Sequence, residues 1–190
     1  MSITISNLSI RYQNKEVIKN FSATIESNEK IALTGPSGIG KTSIINAILN
    51  LISYEGYISN DITPEYAVVF QEDRLCMGLS VYTNIKLTCP KMSRQDIYSY
   101  IHRIGLEPST NVNTLSGGMK RRVAILRALL APSNVLIMDE PFKGLDNDTK
   151  ELVMTLTKEK ASDKTMILIT HDSSEAQFFN CRPLDISAYV

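Results

Sequence analysis

The sequence predicts an α/β fold: a mainly parallel sheet core, an antiparallel β part at the amino end, and an inserted helical lobe. Three observations carry this. Short apolar runs such as Val135–Met138 and Met166–Ile169 alternate with segments of helical spacing, the pattern of buried parallel strands crossed by helices. Residues 1–30 read as strands with no helix between them. Residues 72–130 hold helical patterns and no clear strand. The 190 residues therefore form one domain, with a core of 1–71 and 131–190 and a lobe of 72–130 set into it.

Each element has a local reason. Met1 to Ile5 alternates, Val17-Ile18 is apolar, and Phe21 to Ile25 alternates again, with turns expected at Asn14 and Ser27-Asn28. Lys30–Thr34 is a short strand, and Thr42 to Leu51 carries Ile44, Ile45, Ile48 and Leu49 on one helical face. Ala67–Phe70 is a short buried strand. Residues 80–104 read as helical, with Ser80 and Ser93 as N-caps and Ile97, Tyr100, Ile101 and Ile104 on one face. Gly105 ends that stretch. Gly117–Leu130 is a helix stopped by Pro132, Asn147–Lys160 is another, and Ser173–Phe179 is a short last one.

Composition excludes several classes. Lys+Arg and Asp+Glu are each 20, so there is no basic excess of the kind nucleic acid selects. No apolar run approaches a membrane span. Met1–Ile5 lacks the basic start and long apolar core of a signal peptide. Cys76, Cys89 and Cys181 show no C-x-x-C spacing and read as reduced thiols of a cytosolic protein.

Three motifs carry chemistry. Residues 35–42, Gly-Pro-Ser-Gly-Ile-Gly-Lys-Thr, fit G-x-x-x-x-G-K-[ST] between a strand and a helix. Gly35, Gly38 and Gly40 let the loop of Pro36, Ser37 and Ile39 curl so that backbone N–H groups face phosphate oxygens. Lys41 reaches the terminal phosphates and the Thr42 hydroxyl suits Mg²⁺. Next, Leu115-Ser116-Gly117-Gly118-Met119-Lys120-Arg121-Arg122 opens a helix, where Ser116, Gly117 and Gly118 present a hydroxyl and N–H groups at the positive end of a dipole. Last, the Val135–Met138 strand delivers Asp139 and Glu140 at its carboxyl end, followed by Pro141.

These motifs in this order resemble the nucleotide-binding subunit of ABC transporters, a P-loop NTPase, from about Ser2 to about Phe179. The resemblance implies ATP hydrolysis with ATP and Mg²⁺ bound. It implies that Tyr12 stacks on adenine, and that Gln71 contacts Mg²⁺ and the attacking water. It further implies that Asp139 holds Mg²⁺ through water, Glu140 is the catalytic carboxylate, and His171 contacts the γ-phosphate. Gly144-Leu145-Asp146 matches the family's D-loop, whereas His102 matches nothing. The family arrangement is a head-to-tail dimer that sandwiches two ATP molecules between one copy's P-loop and the other's Ser116-Gly117-Gly118.

The string Gln71-Glu72-Asp73-Arg74-Leu75, with Asp139-Glu140-Pro141-Phe142, is most similar to importer ATPases of the nitrate, sulfonate and taurine group. Some positions depart from it. Met119 replaces the usual Gln, Leu126 stands where Ala is usual, and Cys76-Met77-Gly78 replaces Leu-Pro-Trp. Gln71 follows Lys41 by only 30 positions, so the β-meander usual there must be trimmed. The resemblance implies membrane-spanning permease subunits as partners, a solute-binding protein reached only through them, no nucleic acid, and a place on the inner face of the cell membrane. The permease is expected to dock around Glu72–Leu87, with Met77, Leu79, Val81 and Tyr82 as apolar contacts. The direction of transport resides in the membrane subunits, so an exporter cassette is the alternative. A non-transport cassette is a further one, though no heptad run for a repair-type coiled coil is present.

Overall fold

The computed structural model describes residues 2–13, 15–60 and 63–190. Strands β1 (Ile3–Tyr12) and β2 (Lys15–Ile25) pair antiparallel, with Ile3 opposite Ile25 and Tyr12 opposite Lys15. The turn expected at Asn14 lies outside the described residues. The turn at Ser27-Asn28 is present: Asn28 takes φ 60°, and the Glu29 N–H donates to the Glu26 carbonyl at 3.1 Å. β3 (Lys30–Thr34) and α1 (Lys41–Ile48) follow. β4 (Glu55–Asn60) then returns to lie antiparallel on the other side of β1. One strand of the trimmed region therefore survives, and the small sheet has the order β2-β1-β4.

The rest of the chain builds the second sheet. Its elements are β5 (Tyr66–Val69), α2 (Val81–Lys86), α3 (Arg94–Arg103), α4 (Gly117–Leu130), β6 (Val135–Asp139), α5 (Asn147–Lys160), β7 (Thr165–Ile169), α6 (Ser173–Phe178) and β8 (Arg182–Asp185). The order is β5-β6-β7-β3-β8, with each neighbouring pair parallel. Between β5 and β6 the described residues form helices and no strand element, apart from a lone bridge from Ser80 to Asn111.

Helix ends follow local chemistry. The Ser80 and Ser93 side chains accept from the N–H groups of Thr83 and Asp96, as N-caps do. The helical stretch expected over 80–104, with N-caps at Ser80 and Ser93, consists of two helices, α2 ending at Lys86 and α3 starting after Ser93. The Lys86 Nζ donates to the carbonyls of Pro90 and Met92, and Pro90 cannot extend a helix. Gly105 at φ 69° closes α3, with its N–H bonded to His102 and the Leu106 N–H bonded to Ile101, a Schellman turn. His102 lies in the last turn of α3, half exposed and 3.9 Å from Glu107.

Two cores sandwich the parallel sheet. All five residues of β6 are buried, and alternate side chains enter opposite layers. Leu136 and Met138 join Val123, Leu126 and Leu129 of α4 and Val153 and Leu156 of α5. Val135 and Ile137 join α1 and the antiparallel sheet through Ile44, Ile45, Leu8, Ile10, Ile18 and Phe21. Each such aliphatic or aromatic side chain contributes about 1.5–3 kcal/mol when fully buried. The antiparallel sheet is thus clamped beside α1 and carries Tyr12 to the edge of the P-loop.

Candidate active site

Parallel pairing brings the carboxyl ends of four strands to one edge. Leu33 and Asp139 both lie beside Ile169, and Val69 lies beside Met138. The loops that follow β3, β5, β6 and β7 carry the P-loop, Gln71, Glu140 and His171, so they converge where open α/β sheets bind ligands. They line a cleft of about 520 Å³. Tyr12, Ser37, Gly38, Gly40, Lys41, Thr42, Gln71, Asp139, Glu140 and His171 face it, and the volume suits a small ligand.

The loop is built for an anion. Gly35, Gly38 and Gly40 take φ of 137°, 76° and 116°, all in the region that favours glycine. Gly40 has a second reason to be glycine. A Cβ there would meet Ile18 Cδ1 at 2.8 Å, because β2 presses on the loop. Gly40 also offers no side-chain cap, and Lys41-Thr42-Ser43-Ile44 carries no carboxylate, so no side chain of that turn competes with an anion for the N–H groups of Lys41, Thr42 and Ser43. Ile39 packs toward the core instead of the cleft. Lys41 is only 6% exposed and donates to the carbonyls of Gly35 (2.6 Å) and Pro36 (2.8 Å). Burial lowers its pKa, while Glu140 and Asp139 oppose the shift. Tyr12 is 45% exposed, and its hydroxyl sits 3.3 Å from Ser43 Oγ, at the rim.

The two adjacent carboxylates have different surroundings. Asp139 is buried at the end of β6, and its Oδ2 accepts from Thr42 Oγ1 at 2.8 Å. Burial raises its pKa, more than the Thr42 bond lowers it. Glu140 has φ 45°, unusual for a residue with a side chain. Its Oε2 accepts from Lys143 Nζ at 2.7 Å, and its Oε1 lies 3.3 Å from His171 Nε2. The Lys143 bond holds the Glu140 carboxyl below its ordinary range. His171 Nε2 is also 3.4 Å from Ser37 Oγ, so one imidazole spans loop and carboxylate.

The segment carrying His171 is held from behind. Lys150 of α5 pairs with Asp172 at 2.7 Å and Glu175 at 2.6 Å. The Asp172 carboxyl is pulled down to about 2, mainly by Lys150 and then Ser174. The Thr170 hydroxyl donates to Glu175 at 2.5 Å.

The structure separates Ser116, Gly117 and Gly118 from these residues. Ser116 caps α4, its Oγ accepting from the Met119 N–H at 3.3 Å, and none of the three lines the cleft among the described residues. A Cβ on Gly118 would lie 3.6 Å from the Gly144 carbonyl, so the Ser116 turn neighbours the turn that leads into α5. Val81, expected at the surface, is fully buried in the core, whereas Met77, Leu79 and Leu87 are exposed and Tyr82 is half-buried.

Sequence reasoning assigned nothing to Lys143 or Arg121. Lys143 stands three residues after Glu140, on a turn that folds it back onto the carboxylate. Arg121 lies inside the Leu115–Arg122 string. Only the fold shows it buried against the backbone of Asp139, Glu140 and Pro141.

The ABC transporter family model matches residues 18–143. The taurine import ATP-binding protein TauB of Escherichia coli strain K12 is 34% identical over 193 residues, covering 93% of this chain and 76% of its own length. Its counterpart in Shigella dysenteriae serotype 1 is equally similar, at 34% over 93% of this chain and 76% of its own. Among solved structures, the ATP-binding cassette MJ0796, a dimer in a post-hydrolysis state bound to ADP and Pi, aligns with a TM-score of 0.82 and 27% identity. It covers 97% of this chain and 94% of its own. A bacterial Atm1-family ABC exporter with ATP bound aligns with a TM-score of 0.85 and 25% identity, over 98% of this chain and 37% of its own. A P-loop between β3 and α1, paired carboxylates after β6 and this degree of similarity agree: the chain belongs to the ABC transporter family, as an ATP-binding subunit that hydrolyses ATP.

Proposed function

We propose that this subunit works as a head-to-tail dimer on the inner face of the membrane and powers import of a small sulfonate through separate permease subunits. The observation that carries the dimer is the separation of Ser116-Gly117-Gly118 from the cleft that holds Lys41 and Glu140. Two anion-binding helix starts in one chain, facing different places, are reconciled when each completes the other copy's site. In this reading residues 72–130 are a helical lobe that presents Ser116, on a core of 1–71 and 131–190. Similarity to taurine import proteins over 93% of the chain favours import over export and supports the substrate class.

Within the cleft the roles follow from position. Gly35-Pro36-Ser37-Gly38-Ile39-Gly40 and Lys41 hold the phosphates, and Tyr12 at the rim stacks on adenine. Glu140 polarises the attacking water, while His171 and Gln71 brace the γ-phosphate and that water. Mg²⁺ fits the donor set. Thr42 and Asp139 put a hydroxyl and a carboxylate 2.8 Å apart, with no cluster of three His, Cys, Asp or Glu ligands among the described residues. Mg²⁺ favours such sites, because it keeps waters and phosphate oxygens as its other ligands. The ion, when bound, neutralises charge on the transferred phosphoryl group.

The permease docks beside Gln71, over the exposed Met77, Leu79 and Leu87. No described helix is long and apolar enough to cross a membrane. Vesicles bearing the subunit with its permease are expected to take up taurine in an ATP-dependent manner. Met77→Glu puts a charge into the docking face and will abolish uptake, while the isolated subunit keeps its ATPase rate. Unimpaired uptake by the variant would remove docking from this face. An unfolded variant would make Met77 a core residue.

A further inference from the structure

We propose that Arg121 is a positioning residue for ATP hydrolysis, fixing the backbone that carries Glu140 to the helix that opens with Ser116. The proposal rests on the reading of Glu140 as the water-polarising group. Arg121 lies on α4, five residues after Ser116, and is 5% exposed.

Its bonds go almost entirely to backbone. Nε donates to the Pro141 carbonyl at 2.7 Å, and Nη2 donates to the carbonyls of Asp139 at 2.9 Å and Glu140 at 2.8 Å. Three consecutive carbonyls at the end of β6 thus meet one planar fork. Nη1 donates to the Phe70 carbonyl at 2.6 Å, with longer contacts to the Gln71 carbonyl (3.4 Å) and Asp73 Oδ1 (3.2 Å). The chain after β5 and the chain after β6 are therefore held to one group. A buried cation is tolerated when its donors are filled, and here the filling is mostly carbonyl dipoles. That arrangement grips backbone.

The grip falls where the backbone needs it. Glu140 sits at φ 45°, a conformation that persists only when its surroundings over-determine it. Its N–H donates to the Ile169 carbonyl at 2.9 Å on one side, and Arg121 takes its carbonyl on the other. The direction of the Glu140 side chain follows from that peptide geometry. Lysine offers a compact ammonium and cannot span the same carbonyls. Arg127, on the same helix, holds the carbonyls of Arg74 and Asp73 and touches nothing on the turn after β6 among the described contacts.

The test compares full-length wild type, Arg121→Lys, Arg127→Lys and Glu140→Gln for ATP turnover, nucleotide Kd and thermal unfolding. Arg121→Lys is expected to lose about 30- to 100-fold in kcat, the scale of misplacing a reacting group by about 1 Å, with Kd within about threefold of wild type. Arg127→Lys is expected to keep kcat within about threefold. Turnover of Arg121→Lys within threefold of wild type overturns the proposal, as does a Kd that weakens in step with kcat, or an equal loss in Arg127→Lys. If Arg121→Lys does not fold, Arg121→Gln is read in its place. Failure of both to fold makes Arg121 a structural clamp and overturns the proposal. If Glu140→Gln keeps wild-type turnover, the reading of Glu140 fails and takes this proposal with it. If only the Arg121 variant keeps turnover, the proposal alone fails.

Discussion

Glu140→Gln will leave nucleotide binding intact and lower ATP turnover by about 10²-fold or more, the scale of removing a general base. Glutamine keeps the size of the side chain and can still bond to Lys143 and His171, which lie 2.7 Å and 3.3 Å from the present carboxylate. What it loses is the negative charge that orients and polarises water. Lys143 holds the Glu140 carboxyl below its ordinary range, so the wild-type group is ionised near neutral pH. Steady-state turnover and a separate nucleotide titration check this. Turnover within about threefold of wild type would take Glu140 out of the chemistry.

Lys41→Ala will fail one step earlier, at nucleotide binding. In the present structure Lys41 Nζ is bonded to two carbonyls of its own loop, at 2.6 and 2.8 Å. It supplies the one side-chain cation within residues 35–42. A charge-assisted hydrogen bond to phosphate is worth about 1.5–3 kcal/mol, so its loss weakens ATP binding by about 10- to 100-fold. Fluorescence or calorimetric titration with Mg-ATP measures this directly. An unchanged Kd would mean that the loop does not hold phosphate through Lys41.

Much of the fold and the cleft was legible because the motifs are short and local. Strand, loop and helix around residues 34–44 follow from glycine placement and apolar spacing, and the structure places β3 and α1 there. Val135–Asp139 reads as buried because both of its faces are covered. Other parts depend on contacts between distant residues. Glu55–Asn60 has four exposed and two half-buried residues and none fully buried, so no buried apolar run marks it; its strand character comes from pairing with β1. In β1 the register shifts around Leu8 bury Leu8, Ser9 and Ile10 in succession, which hides a period of two. Arg182–Asp185 is a short edge strand containing Pro183, a residue tolerated only at such edges. Val81 looks like a surface residue beside Gln71, yet α2 turns it inward against the core. Arg121 gains its partners only when β5, β6 and α4 are assembled, so spacing alone could not single it out.

Sizing the Glu140→Gln variant by light scattering, with and without Mg-ATP, bears most directly on how two chains share the work. Blocking hydrolysis lets ATP-bound chains accumulate in whatever assembly ATP favours, and a ligand held between two copies stabilises the dimer by mass action. At about 20–50 μM protein the variant will be monomeric without nucleotide and dimeric in saturating Mg-ATP. A variant that stays monomeric in saturating Mg-ATP, while a titration shows the nucleotide bound, would contradict a site completed by the partner's Ser116.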